Sequence, residues 1–167
     1  MKTVLLSIAL SLPIMAMGAD SSPDTTFYKH AAEGGIAEVE LGQLAQQKSN
    51  NPSVKEFGAM MVSDHTAAND KLQAIAASKN IKLPTSPSVG QMATKAKLEV
   101  LSGDTFDESY IRGMIADHEE DIKEFQKESS SGQDPQAKAY ATATLPTLKA
   151  HLGKIRFIAG TAGVSAD

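Results

Sequence analysis

The stretch IKLPTSPSVGQMATKAKLEVLSG, residues 81–103, decides the fold. It is too long for a helix–helix turn and too broken to be one of the long helices beside it. Leu83-Pro84-Thr85-Ser86-Pro87-Ser88 reads as loop, because the prolines deny it helical hydrogen bonds and the hydroxyls compete for backbone partners. A short helix is expected from about Val89 to Leu101, after which Ser102-Gly103-Asp104 ends it and caps the next one. On either side the apolar spacing is helical. Val54, Phe57, Met61, His65, Ala68, Leu72 and Ile75 mark one face before the stretch. Ile111, Met114, His118, Ile122 and Phe125 mark one face after it. A connection this long can run back along a bundle, so the two flanking helices start at the same end and lie parallel.

Working outward, Asp24 or Thr25 can cap a first helix reaching about Ser49, with Ala31, Gly34, Ala37, Leu41 and Leu44 on one face. Asn50-Asn51-Pro52-Ser53 then turns the chain, with Ser53 and Glu56 set out as a capping box for a second helix ending near Asn80. Beyond the crossover a long helix is expected up to about Ser130. Asp134 caps the last helix with Pro135 at its first position, and Ala141, Leu145, Leu148, Leu152 and Ile155 line it. Pro146 sits inside that helix and should remove one hydrogen bond and kink it. No stretch alternates as a strand for more than a few residues. The expected fold is all-α: a ferritin-like four-helix bundle whose long crossover carries a short extra helix, with a plain antiparallel bundle as the alternative.

Composition bounds the class. With 167 residues one domain is expected; 41% hydrophobic and 22% charged residues exclude a wholly disordered chain. The net charge of −4 argues against a nucleic-acid partner. The chain has no cysteine, so disulfides, thiolate zinc sites and cysteine nucleophiles are excluded. Residues 1–19 read as a signal peptide: Lys2, an apolar run from Val4 to Met17, then small residues at Gly18 and Ala19. The run is shorter than the ~20 residues of a spanning helix. A single helical domain over 20–167, with its core at about 25–158, is therefore expected to be periplasmic or secreted. The mature chain should carry no transmembrane segment, and association with the outer membrane stays open.

The two central helices carry a repeat: FGAMMVSDH at 57–65 aligns with YIRGMIADH at 110–118, and Met, Asp and His coincide. His65 and His118 fall on apolar stripes, and parallel helices bring them to similar heights. The last helix adds His151, beside Leu148 and Ile155, and the first offers Glu33, Glu38 and Glu40. Counting ~1.5 Å per residue puts Glu40 and His151 within roughly 6–9 Å of the other two along the bundle axis. Imidazoles and carboxylates meeting inside a bundle are raw material for a transition-metal site. The expected ligands are His65, His118, His151 and Glu40, with Asp64 and Asp117 as further ligands or as partners that orient an imidazole. Iron, zinc or copper is the expected ion, in a role such as metal homeostasis or envelope stress protection. His30 is not expected to bind.

Met61 and Met114, each one turn before a histidine, would suit copper(I), although methionine is also ordinary core filler. A second reading makes the histidines buried polar fasteners in a non-catalytic envelope scaffold for protein contacts, without metal. The chain has no Glu-x-x-His, no Gly-rich phosphate loop, no G-x-S-x-G and no H-E-x-x-H, so a binding protein is expected rather than an enzyme. Gly34, Gly35 and Gly42 would allow close helix approach, either within one chain or in a homo-oligomer.

Further ordered stretches are Ala31-Ala-Glu-Gly-Gly35, Glu38-Val-Glu-Leu41 and Met61-Val-Ser-Asp-His65 with Asn69. Leu83-Pro84, Gly103 before Phe106-Asp107 and Tyr110, Asp117-His118, and Leu145-Pro-Thr-Leu-Lys-Ala-His151 follow. From about Phe27 to Leu152 the chain resembles the bacterial family known as domain of unknown function 4142, often labelled outer-membrane proteins. The resemblance implies a ferritin-like helical fold and export, with no established activity. The outer-membrane label does not follow from this sequence, which has neither the strand pattern of a barrel nor a lipid anchor.

Overall fold

A computed structural model describes residues 22–165 as five helices: α1 (Pro23–Lys48), α2 (Pro52–Ser78), α3 (Val89–Glu99), α4 (Gly103–Ser131) and α5 (Pro135–Ala162). Among the described residues there is no strand, and no helix is long and apolar enough to cross a membrane. The expected signal peptide, residues 1–19, lies outside the described residues.

Three of the long helices begin with a cap followed by proline. Ser22 accepts from the Thr25 amide before Pro23, Asn51 from the Ser53 amide before Pro52, and Asp134 from the Gln136 amide before Pro135. Proline fits there because its fixed φ is helical and its missing N–H would have lacked a partner anyway. This corrects two expected caps. α1 is capped by Ser22 rather than by Asp24 or Thr25, and Ser53 is already inside α2, so its capping box with Glu56 does not form. A capping box occurs instead at α3, between Ser88 and Gln91. α5 continues through Pro146, which is exposed, so the bond it cannot donate is lost on the solvent side.

The rings of Phe27, near the start of α1, meet Phe125 of α4 at 5.0 Å and Tyr140 of α5 at 6.3 Å. At the other end Leu44 and Ala45 of α1 share a cluster with Val54, Phe57, Phe106, Tyr110 and Ile158. α2 and α4 therefore start at the same end and run parallel, while α1–α2 and α4–α5 are antiparallel hairpins. Residues 79–102 carry the chain back along the bundle, with α3 resting on α1 and α4. This is the crossover connectivity expected from residues 81–103.

Between α1 and α2 the backbones touch. A Cβ on Gly42 would lie 2.6 Å from the Gly58 carbonyl oxygen, and a Cβ on Gly58 equally close to that of Gly42. Gly35 leaves room for the Asn69 side chain. Both positions serve packing within the chain.

The apolar interior is in two parts. One cluster holds Phe57, Met61, Met114 and Ile155; the other holds Phe27, Leu72, Phe125 and Leu148. Buried between them in sequence on each helix are Glu38, His65, His118 and His151. A polar layer from all four long helices thus crosses the middle of the bundle.

Candidate metal centre

Each histidine of this layer is delivered by the apolar stripe of its own helix. His65 follows Met61 by one turn on α2, His118 follows Met114 by one turn on α4, and His151 lies between Leu148 and Ile155 on α5. All three are buried, and each offers one ring nitrogen such that the three nitrogens lie within 4.8 Å of one another. The ring centroids are 5.4–5.9 Å apart. Phe57 closes the layer on one side, 6.2 Å from His118 and 6.4 Å from His151.

The hydrogen bonds assign the tautomers. His118 Nδ1 lies 2.9 Å from the Met114 carbonyl oxygen. A carbonyl only accepts, so Nδ1 carries the proton and Nε2 presents a lone pair. His151 Nε2 lies 3.0 Å from Asp64 Oδ2, so that nitrogen donates to the carboxylate and Nδ1 presents a lone pair. These two lone pairs face each other, with His118 Nε2 and His151 Nδ1 3.4 Å apart. His65 Nε2 is buried and has no hydrogen-bond partner.

Burial keeps the cluster neutral. Desolvation, reinforced by the two neighbouring imidazoles, pushes His65 down to about 3. Desolvation and His151 together push His118 down to about 4, against the Met114 hydrogen bond. His151 is also lowered by burial, which its bond to Asp64 opposes. Neutral imidazoles with outward N–H groups fixed by a carboxylate and a carbonyl are the form in which histidine ligates metals.

The acidic residues separate into different roles. Asp64 is the orienting partner of His151. Glu40 does not join the imidazoles; its Oε2 pairs with Lys95 of α3 at 2.9 Å. The acid that α1 brings to the layer is Glu38, buried with Oε1 3.6 Å from His118 Nδ1 and Oε2 without a partner. Desolvation, then Asp121 and Asp117, hold Glu38 well above the usual carboxylate range. The signal for Glu38 was present in the small-residue stripe Ala31, Gly35, Gly42 and Ala45, whose helical spacing it completes. Asp117, next to His118, is raised to about 6 by burial and then Glu120. It lines an open cleft of about 400 Å³ between α1, α3 and α4, together with Glu38 and Asp121. His30 is exposed and 3.1 Å from Glu124, away from the centre. Met61 and Met114 are fully buried in the core cluster next to the layer.

The family described as "Domain of unknown function (DUF4142)" matches residues 10–158. No curated protein matches the chain. A solved DUF305 protein from Streptomyces coelicolor is 12% identical, with a TM-score of 0.75, over 89% of this chain and 99% of that one. A DUF305 fragment from Deinococcus radiodurans is 15% identical with a TM-score of 0.73, over 84% and 97%. CopM in its Cu(I)-bound form is 13% identical with a TM-score of 0.70, over 84% and 98%. CopM has also been solved in Cu(II)-bound and Ag-bound forms. At these identities the likeness is one of fold.

Proposed function

This chain belongs to the DUF4142 family, and we propose that it is an exported protein that binds one transition-metal ion, preferentially Cu(I), through His65, His118 and His151. The observation that carries this reading is the pair of imidazole lone pairs facing each other at 3.4 Å with the third ring alongside. Two bare acceptors so close repel, and a cation between them turns that repulsion into coordination. Buried fasteners would be arranged the other way, with every ring nitrogen donating to or accepting from a protein group.

The ion class follows from charge and donor type. Three neutral imidazoles supply no negative charge, and desolvation penalises a charge steeply, so a monovalent ion costs less to bury than a divalent one. Imidazole suits copper and zinc better than magnesium or calcium. Asp64 orients His151, and Glu38 stands outside His118 as a carboxyl that can ionise once positive charge is present. Structures of similar fold that hold copper and silver, those of CopM, agree with this class. A signal segment at residues 1–19 would place the site in the periplasm or outside the cell, where it would sequester or buffer copper.

Competition titration of the full chain against a chromophoric Cu(I) chelator under anaerobic reductant tests the proposal. One equivalent should bind to the wild type, and His118→Ala or His151→Ala should weaken binding by about 100-fold or more. Equal binding by the wild type and all three alanine variants, His65→Ala included, would remove the site.

A further inference from the structure

The triad is enclosed, and its surroundings differ on its three sides. Outside His151 stands Asp64, half-exposed, but the ring of His151 lies between that carboxylate and the centre: Nε2 faces Asp64 and Nδ1 faces His118. Outside His118 stand Glu38 and the Met114 carbonyl, both against the outward nitrogen Nδ1. On these two sides an imidazole plugs the way. The side of His65 is different. A small cavity of about 20 Å³ is lined by His65, Gly34, Asp121 and Tyr140. That is enough for about one water-sized occupant.

Two of its lining residues, Gly34 and Asp121, also line the open cleft of about 400 Å³ between α1, α3 and α4. The cleft is strongly acidic. Glu33, Glu38, Asp117, Glu120, Asp121 and Glu124 face it, and its lining includes no lysine or arginine. Its one basic side chain, His30, is held by Glu124. At its floor Glu38, 3% exposed, has Oε2 without any partner. The unpaired oxygen of Glu38 lies among other acidic groups, and an arriving cation is a partner that would satisfy it.

We propose that this cleft is the access route of the metal cation: its carboxylates gather the ion, and Asp121 passes it through the gap at Gly34 to His65 and the triad. The inference rests on the triad reading above and adds the path. Carboxylates hold a soft ion weakly and imidazoles hold it well, so affinity increases inward along the route. A cleft lined by one sign of charge also raises the local cation concentration and the rate of capture. Gly34 sits at the junction. A Cβ there would be 3.9 Å from Asp121 Oδ1 and from Gln91 Nε2, so alanine fits, while a larger side chain must fill the gap itself.

Stopped-flow mixing of the full-length metal-free protein with Ag(I), a redox-silent monovalent ion, followed by tyrosine fluorescence, tests the route. Asp121→Asn should slow loading by about 10-fold at low salt and flatten its dependence on ionic strength. Gly34→Leu should slow loading and release together and leave the equilibrium constant within a few-fold. Gly34→Ala, which fits the available space, should load at a rate between the two and keeps the test open should the leucine variant misfold. Glu108→Gln, on another face, should load like the wild type. Unchanged loading in Asp121→Asn, Gly34→Ala and any folded Gly34→Leu would overturn the route, as would lost affinity at an unchanged loading rate. Failure of the triad itself appears separately, as unchanged equilibrium binding in the histidine variants.

Discussion

Asp64 touches the centre through one hydrogen bond, yet that bond decides which nitrogen of His151 points inward. Asp64→Ala is expected to leave the helices intact, since the side chain is half-exposed, and to weaken Cu(I) binding by about 10–100-fold. Circular dichroism and the competition titration check the two halves of that statement. The titrating groups make a second prediction for the metal-free protein. His65 and His118 have folded values depressed to about 3 and 4, so the stability they contribute is full above the ordinary imidazole value and is lost as pH falls through those values. Asp117 and Asp121 have folded values raised to about 6 and 7, so their contribution is full below the ordinary carboxylate range and is lost as pH rises through those values. The two sets oppose each other between about pH 4 and 7. Asp121→Asn should therefore match the wild type in urea melts at pH 4. At pH 8, where the partly screened carboxylate is charged, it should exceed it by about 1 kcal/mol. The three histidines are legible as a group in the sequence because each lies on an apolar stripe. Axial height, which residue counting gives, does not separate Glu40 from Glu38; rotation about the helix axis does, and it turns Glu38 to the imidazoles and Glu40 to Lys95. Two residues turn a side chain by about 200° on a helix.

At the scale of the helix pair, the contact between Gly42 and Gly58 sets how closely α1 lies on α2. Gly42→Ala should cost about 1–3 kcal/mol, because the new methyl meets backbone that cannot move aside. Gly153→Ala, in an exposed position of α5 with nothing within 4 Å, should instead stabilise by about 0.5–1 kcal/mol through helix propensity alone. Chemical denaturation of both variants separates the effect of close approach from that of glycine itself. The elements were readable because each long helix keeps its apolar spacing and the loop at residues 83–88 breaks it. The starts were less so. At Asn51 and Ser22 the proline that follows fixes the first helical turn, and that preference overrides the better-looking caps at Ser53 and Asp24.

For the whole molecule, a bound cation stabilises only the folded form. Melts with one equivalent of Cu(I) and with excess chelator should differ, by about 2.7 kcal/mol when the free ion is at 100 times its dissociation constant. Replacing His65, His118 and His151 together by leucine should abolish that difference. The variant should be at least as stable as the metal-free wild type, because a desolvated polar layer is exchanged for apolar packing. The position of that layer has a further consequence for how the bundle breathes. Each half of the interior has its own aromatic and aliphatic nucleus, and the long rods are continuous through both. In the metal-free state, amides flanking residues 65, 118 and 151 should exchange with deuterium sooner than those beside Phe57 or Phe125. Copper should suppress this exchange at mid-rod on three helices at once, while the amides at the helix ends should show little change.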